Sequence, residues 1–314
     1  MARSPLDSQA AGPLDAARGP LHPVAAQTLA AALETAWADP ARLGPPGRRA
    51  RALLDTAREV LAAALGARPD ELSVHSSPEA ALELGLAGLR HARRRTGTRV
   101  VAGATERSVL LLQPGVETPL PVEHHGRVDT GAYAVALAGG DVAAAVLQTA
   151  NAEVGTRQPV GAVDDLCREH GIPLVLDATA SAGRDPHGIP PGAGAVVVAD
   201  AASFGGPPLG LLAVRTGTRW GLPGPRREAE HGREHAAPWV PLVLAAAEAW
   251  RQTEAVAAAE DARARELVDR VRRAAAAVPD VEVVGDPDDR LPHVVTFSVL
   301  YADGEVLLEE LARR

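Results

Sequence analysis

Lysine is absent from this sequence: every one of its 32 basic residues is arginine. No side chain therefore offers a primary amine, so chemistry that holds a carbonyl compound as an imine on a side chain is excluded. The single cysteine, Cys167, rules out an internal disulfide. No apolar run approaches the roughly 20 residues that span a bilayer. Residues 1–12 lack the apolar stretch of a secretory signal and read as a loose leader, so the expected location is the cytoplasm. Phe and Tyr number two each, which leaves the core to be assembled from Ala, Val and Leu. The net charge of −8 comes from mixed signs and argues against nucleic acid or an anionic membrane as partner.

What is present is a chain long enough for a sizeable core, punctuated throughout by glycine and proline without a collagen-like period and without an internal repeat. Helical patterns are expected at 24–37, 49–65 and 78–94, the second with Leu53, Ala57, Val60, Leu61 and Ala64 on one stripe. Residues 40–47 read as a loop between the first two helices, and 71–74 as a short extended segment. Short apolar runs then recur at 100–102, 144–147, 174–176, 195–198 and 211–214, and a helix at 163–170 ends at Gly171. Apolar strands alternating with helices predict βαβ units and a mainly parallel sheet covered on both faces. From 238 to 277 the pattern is helical, followed by strands at 281–284 and 294–299 and a last helix at 305–311. The expected organisation is α/β: a large domain over 13–237, and a smaller α+β domain over 238–314 completed by the segment 1–12.

Several tempting features have plainer readings. Arg48-Arg49 and Arg93-Arg94-Arg95 sit at the ends of helical patterns and read as solvated faces. His231 and His235 have the i, i+4 spacing of helical metal ligands, and His124-His125 are adjacent, but neither pair has a clear third ligand, so no metal is expected. Gly205-Gly206 lacks the spacing of a nucleotide loop, and no Gly-x-Ser-x-Gly elbow is present. Cys167 reads as a helix residue packed against a neighbour.

A set of short segments, in order along most of the chain, resembles the cysteine desulfurases of the class V aminotransferase family, which use pyridoxal phosphate (PLP). They are Leu14-Asp15-Ala16-Ala17 with Leu21-His22-Pro23; Asp39-Pro40-Ala41-Arg42-Leu43 with Gly47-Arg48-Arg49-Ala50; Glu106-Arg107-Ser108-Val109-Leu110; Asn151-Ala152-Glu153-Val154-Gly155-Thr156 with Gln158-Pro159; Asp177-Ala178 through Gly183; Phe204-Gly205-Gly206-Pro207; and Asp303-Gly304-Glu305. Each alone is weak, and together they are specific. The Phe204 segment is most similar to a branch fused to a small sulfur-transfer domain.

The resemblance implies a class V aminotransferase-like large domain and a pocket whose positions can be followed residue by residue. Asp177 matches the carboxylate that pairs with the PLP pyridinium nitrogen. Asn151 matches one of two paired asparagines, its neighbour being Ala152. Arg107 stands where a histidine stacks on the ring, and Ala180 where a glutamine reaches the phenolic oxygen. Ser76, in His75-Ser76-Ser77-Pro78, falls in the phosphate turn, which here is one residue shorter and loses a donor at Pro78. Asp200 replaces a phosphate-binding serine, and Glu234 a threonine that reaches the partner's phosphate. Ala202 and Ser203 stand where the family has His and the cofactor lysine. A carboxylate ~4 Å from a phosphate charge costs about 4 kcal/mol at an effective dielectric of ~20.

The resemblance also places a persulfide-carrying cysteine and a substrate-carboxylate arginine after 305–314, where this sequence stops. No catalytic residue is assigned, and no cofactor is expected. The cofactor is PLP if the family function persists, and Asp177, Asn151, Arg107, Ser76 and Ser203 are the pocket positions. The functional expectation is an inactive member acting as a partner or binding subunit in sulfur transfer, as a homodimer or as a heterodimer with an active paralogue, with a sulfur carrier as a further partner. The alternative is a PLP-dependent desulfurase or lyase. The altered pocket, with Arg107, Asp177, Asp200 and Ser203, suits a small polar molecule.

Overall fold

The computed structural model describes residues 19–313. The leader 1–12 and the Leu14–Ala17 motif lie outside them. Six strands form one sheet: β1 (Leu72–His75), β2 (Arg99–Val101), β3 (Val142–Gln148), β4 (Leu174–Asp177), β5 (Val196–Asp200) and β6 (Gly210–Val214), in the order β1-β6-β5-β4-β3-β2. β2 through β5 pair in parallel, and β6 is antiparallel to both its neighbours. The carboxyl ends of β1, β3, β4 and β5 therefore share one edge of the sheet. This is the expected α/β architecture with a mainly parallel sheet.

The helices are α1 (Pro23–Thr35), α2 (Pro45–Ala64), α3 (Pro78–Arg93), α4 (Ser108–Leu111), α5 (Thr130–Ala138), α6 (Val160–Glu169) and α7 (Val240–Ala276). Alternation along the strands divides the core. Val197, Ala199, Leu174 and Leu176 face a cluster with Leu54 and Leu61 of α2, Tyr133 of α5, Val163 of α6 and Val243 of α7. Val196, Val198, Val175 and Val146 face the other side, toward Leu82, Leu86 and Leu89 of α3. Each strand buries both faces, as a sheet covered by helices requires. α3 can sit close because Gly85 carries no Cβ; one added there would come within 2.9 Å of Val196.

Some expectations shift. α2 starts at Pro45 rather than at 49, because proline at the first helical positions lacks only N–H groups that would be unpaired there. Its fully buried stripe runs through Leu54, Ala57 and Leu61, leaving Leu53 and Val60 half-buried. Cys167 is buried in α6, and burial pushes its thiol up to about 12, so it is an inert thiol.

Beyond α7, β7 (Val281–Val284) and β8 (Thr296–Val299) pair antiparallel, and α8 (Gly304–Ala312) follows. The segment between the two strands clamps the Asn151–Gln158 loop. Leu291 N–H donates to Gly155 O at 2.8 Å, Asp286 N–H to Thr156 Oγ1 at 3.0 Å, and Arg157 N–H to Asp289 O at 3.1 Å. Gly155 has φ +78°, and a Cβ there would press on Val294 at 3.1 Å, so glycine is required on both counts.

The closest approach behind the first turn of α3 is at Gly210, where a Cβ would lie 2.1 Å from Ser77 O. Gly210→Ala is therefore expected to lower the unfolding free energy by about 2 kcal/mol. Gly161→Ala on exposed helix surface, with nothing within 4 Å of the added methyl, is expected to leave it unchanged or raise it by up to ~1 kcal/mol. Urea titrations of both variants check this; equal stability of Gly210→Ala and the parent would remove the steric account.

Candidate functional site: two buried acids at the sheet's carboxyl edge

In open α/β sheets, ligands bind at the carboxyl ends of the strands, and all five pocket positions read from the sequence end or follow a strand at that edge. Asp177 is the last residue of β4 and is buried. Both the backbone N–H and the hydroxyl of Thr179 donate to its Oδ1, at 2.9 and 2.6 Å. Its Oδ2 is buried without a hydrogen-bond partner among the described residues. Burial pushes the Asp177 carboxyl above its ordinary range, opposed by the Thr179 bonds and the nearby Arg107 charge.

Arg107 caps the short helix α4 and is brought to the same place. Its Nη1 donates to Thr179 Oγ1 at 2.9 Å, and its Nη2 pairs with Glu79 in the first turn of α3. The guanidinium is thus braced between Glu79 and the hydroxyl that holds Asp177.

Glu106 is the second acid. Its Oε1 accepts the Gln148 backbone N–H at 3.0 Å, and its Oε2 is buried without a hydrogen-bond partner among the described residues. Burial pushes its carboxyl up to about 8; the Gln148 bond opposes this, and the Asp177 charge adds to it. Near neutral pH it carries its proton. Gln148 and Asp177 are register partners across β3 and β4, so the site holds two neighbouring carboxyl groups, each with one oxygen unsatisfied. Such a pair can accept an N–H from a ligand and store one proton.

Asn151 is spent on its own loop. Its Oδ1 accepts the N–H groups of Glu153 and Val154, both at 2.9 Å, and its Nδ2 donates to Thr105 O at 3.2 Å. Ser203 is buried, and its hydroxyl lies 2.7 Å from each of two backbone carbonyls, Ala182 O and Asp200 O. It faces the chain's own backbone. Ser76 is exposed and is not joined to the others, while its neighbour Ser77 caps α3 by accepting Ala80 N–H at 3.1 Å. Asp200 caps the next turn, its Oδ1 accepting Ala202 N–H at 2.9 Å.

Around the phosphate-turn position the structure is closed by protein groups. His75 Nδ1 lies 2.5 Å from Glu234 Oε1, and its Nε2 lies 2.8 Å from Ser73 Oγ. Burial lowers the His75 pKa against the pull of Glu234. The order carboxylate, imidazole, hydroxyl is that of a nucleophilic triad, but Ser73 is fully buried within β1, so this chain serves as a brace. Arg58 pairs with Glu230, whose other oxygen accepts Val74 N–H at 2.7 Å.

The residues at this edge fit PLP only in part. The bare Oδ2 of Asp177 suits a pyridinium N–H. The rest of the set does not fit a PLP held as a Schiff base: the sequence has no lysine, and the positions that resemble the family's lysine and phosphate donors are an inward-facing Ser203 and the acids Asp200 and Glu234. Among the described residues, no group of three His, Cys, Asp or Glu is placed to hold a metal ion. None of their helices is long and apolar enough to cross a membrane.

Three participants were not assigned a site role from the sequence: Glu106, which occurs there only within the Glu106–Leu110 segment, Thr179 and Glu79. Thr179 follows Asp177 by two residues, an Asp-x-Thr spacing that can signal a side-chain turn. Glu79 is 28 residues from Arg107, and no sequence signal joins them.

Residues 38–190 match the family described as aminotransferase class-V. The chain is 27% identical over 275 residues to cysteine desulfurase IscS of Vibrio cholerae (strain ATCC 39541), covering 84% of this chain and 68% of that protein. It is 27% identical over 302 residues to cysteine desulfurase IscS of Methylococcus capsulatus, covering 92% and 74%. Among solved structures, a NifS-like protein superposes with a TM-score of 0.85 at 18% identity, over 95% of this chain and 84% of that one. DndA from Streptomyces lividans gives 0.82 at 24% identity, over 93% and 86%.

The folded state keeps a proton on Glu106 that the unfolded chain releases. Stability contributed by that proton is complete below the ordinary carboxylate range and is lost as pH rises toward about 8. Glu106→Gln, which keeps an acceptor and removes the titration, is expected to flatten the curve. The parent should lose up to roughly 4 kcal/mol relative to the variant between pH 5 and 8.5. Parallel pH profiles from urea unfolding would refute the assignment.

Proposed function

We propose that the chain, which matches the aminotransferase class-V family over residues 38–190 and is similar to cysteine desulfurases, works as a non-catalytic member, a partner or binding subunit in sulfur transfer. The observation that carries this reading is Ser203 at the cofactor-lysine position in a sequence with no lysine at all. A hydroxyl forms no imine, and an arginine guanidinium stays protonated and is no substitute amine. The carboxylates Asp200 and Glu234 add to it, since each is unfavourable beside a phosphate while ionised. The partner is a second copy of this chain or an active paralogue, with a sulfur-carrier protein as the recipient. The cytoplasm is its proposed compartment.

One observation favours the second reading, a working PLP enzyme: the unsatisfied Asp177 Oδ2. That reading needs a cofactor bound without a covalent link and a base other than lysine.

Purified protein mixed with PLP is expected to show no aldimine absorbance in the near-violet, to gain no mass on a side chain after borohydride, and to release no sulfide from L-cysteine. Any of the three, in the isolated chain, overturns the non-catalytic reading. Affinity capture from the source cell is expected to recover an active desulfurase or a sulfur carrier in stoichiometric amount, and recovery of neither overturns the partner role.

A further inference from the structure

A cavity of about 390 Å³ lies away from the two acids, between the start of α1, the turn at Phe204-Gly205, the middle of α7 and the Pro292-His293 segment. Its volume is within the roughly 300–1,000 Å³ of small-molecule sites. Among the described residues, the cavity wall contains one arginine without an ion-pair partner, Arg184. Arg184 donates through Nε to Ser203 O, and among the described residues no carboxylate makes an ion pair with it. Its terminal nitrogens are left for the cavity, and a Cβ at Gly19 on the rim would meet Nη2 at 3.2 Å. Taking a guanidinium partly out of water without an anion is unfavourable, and an incoming anion would relieve that cost.

The other walls limit what that anion can be. Leu21, Phe204, Val256 and Ala257 are apolar, and Val256 is 50% exposed on α7, an apolar side chain turned to this space rather than to the core. His293 is held neutral near pH 7, its pKa pushed down to about 4 by burial and by Arg184, so it brings a hydrogen-bonding nitrogen without charge. Glu260 is exposed and lies 3.8 Å from Arg263; it acts on Arg184 through space but is too far to pair with it, and its neighbour Asp261, also on the cavity wall, is paired with Arg265 at 3.2 Å. One cation without an ion pair inside and two carboxylates on the α7 wall, Glu260 and Asp261, favour a single negative charge and disfavour a second.

We propose that this cavity is a binding site for a small organic monoanion with an apolar body, its carboxylate on Arg184 and its body against Phe204, Leu21 and Val256. The site is independent of the two acids at the sheet edge, and it stands whether or not the protein has lost PLP chemistry.

Benzoate is the probe, with benzamide as the neutral isostere and phthalate as the dianion, each titrated calorimetrically into the full chain. Benzoate is expected to bind saturably and at least tenfold more tightly than either control. Arg184→Gln is expected to abolish the preference for benzoate over benzamide. Glu260→Gln is expected to tighten benzoate several-fold by removing its repulsion. Because Arg184 also holds Ser203 O, its variant can fail to fold, and the Glu260 variant and the benzamide comparison then decide. Equal binding of benzoate and benzamide, no binding of either, or an unchanged benzoate affinity in Glu260→Gln overturns the proposal.

Discussion

A carboxylate taken out of water must find donors, take up a proton, or remain a source of instability. At the carboxyl edge of this sheet that constraint is met unevenly. Asp177 is satisfied on one oxygen by Thr179 and bare on the other, and Glu106 is satisfied by one backbone N–H and bare on its second oxygen. The strands that place these groups are apolar and fully buried, and they give the acids no water to retreat to. Arg107, itself held by Glu79, brings a positive charge close by, and it reaches Asp177 through the Thr179 hydroxyl.

The flank toward β1 obeys the same constraint with a different result. There Glu230 and Glu234 meet Arg58, the Val74 N–H and His75, so the charged groups around the first turn of α3 are matched by protein partners. A phosphate turn would need these donors free and facing outward. Instead Ser77 is committed to capping α3, and Gly210 brings β6 against its carbonyl. One side of the edge is therefore filled and braced, while the two acids keep unsatisfied oxygens.

Much of this was legible from the chain itself. The apolar runs mark five of the six strands of the large sheet to within a few residues, because a strand buried on both faces is apolar throughout; β1, Leu-Ser-Val-His, reads only as a short extended segment because its buried Ser73 and His75 are matched by protein partners. The short helix α4 and the helix α5 were not legible. Thr130–Ala138 carries Gly131 and a nearly unbroken small apolar face, so there is no polar stripe to set its period, and only Asp129 as a cap betrays it. The reversal of β6 is also invisible, since an apolar run does not carry its direction. At the site, Asp177 lies at the end of β4 and Arg107 beside it, while Ser76 is exposed, since a serine in a turn can point outward as readily as inward. The Arg107 partner Glu79 comes from the packing of α3, which no local pattern encodes.

The helix α7 has a mechanical consequence. It is a single rod of 37 residues, about 55 Å long at ~1.5 Å per residue. Its buried residues are concentrated in the first ten, from Val240 to Ala249, where it is gripped by α1 and α2. The far end carries the β7–β8 hairpin. The rod is tied at that far end too, through Asp269 to Arg290 and through Arg272 to the Val284 carbonyl, and the same segment holds Gly155 and Thr156. At that length one degree of tilt at the grip corresponds to about 1 Å at the tip, so the alanines near Ala246 and the clamp over Gly155 are mechanically joined: neither can shift without straining the bonds at the other end.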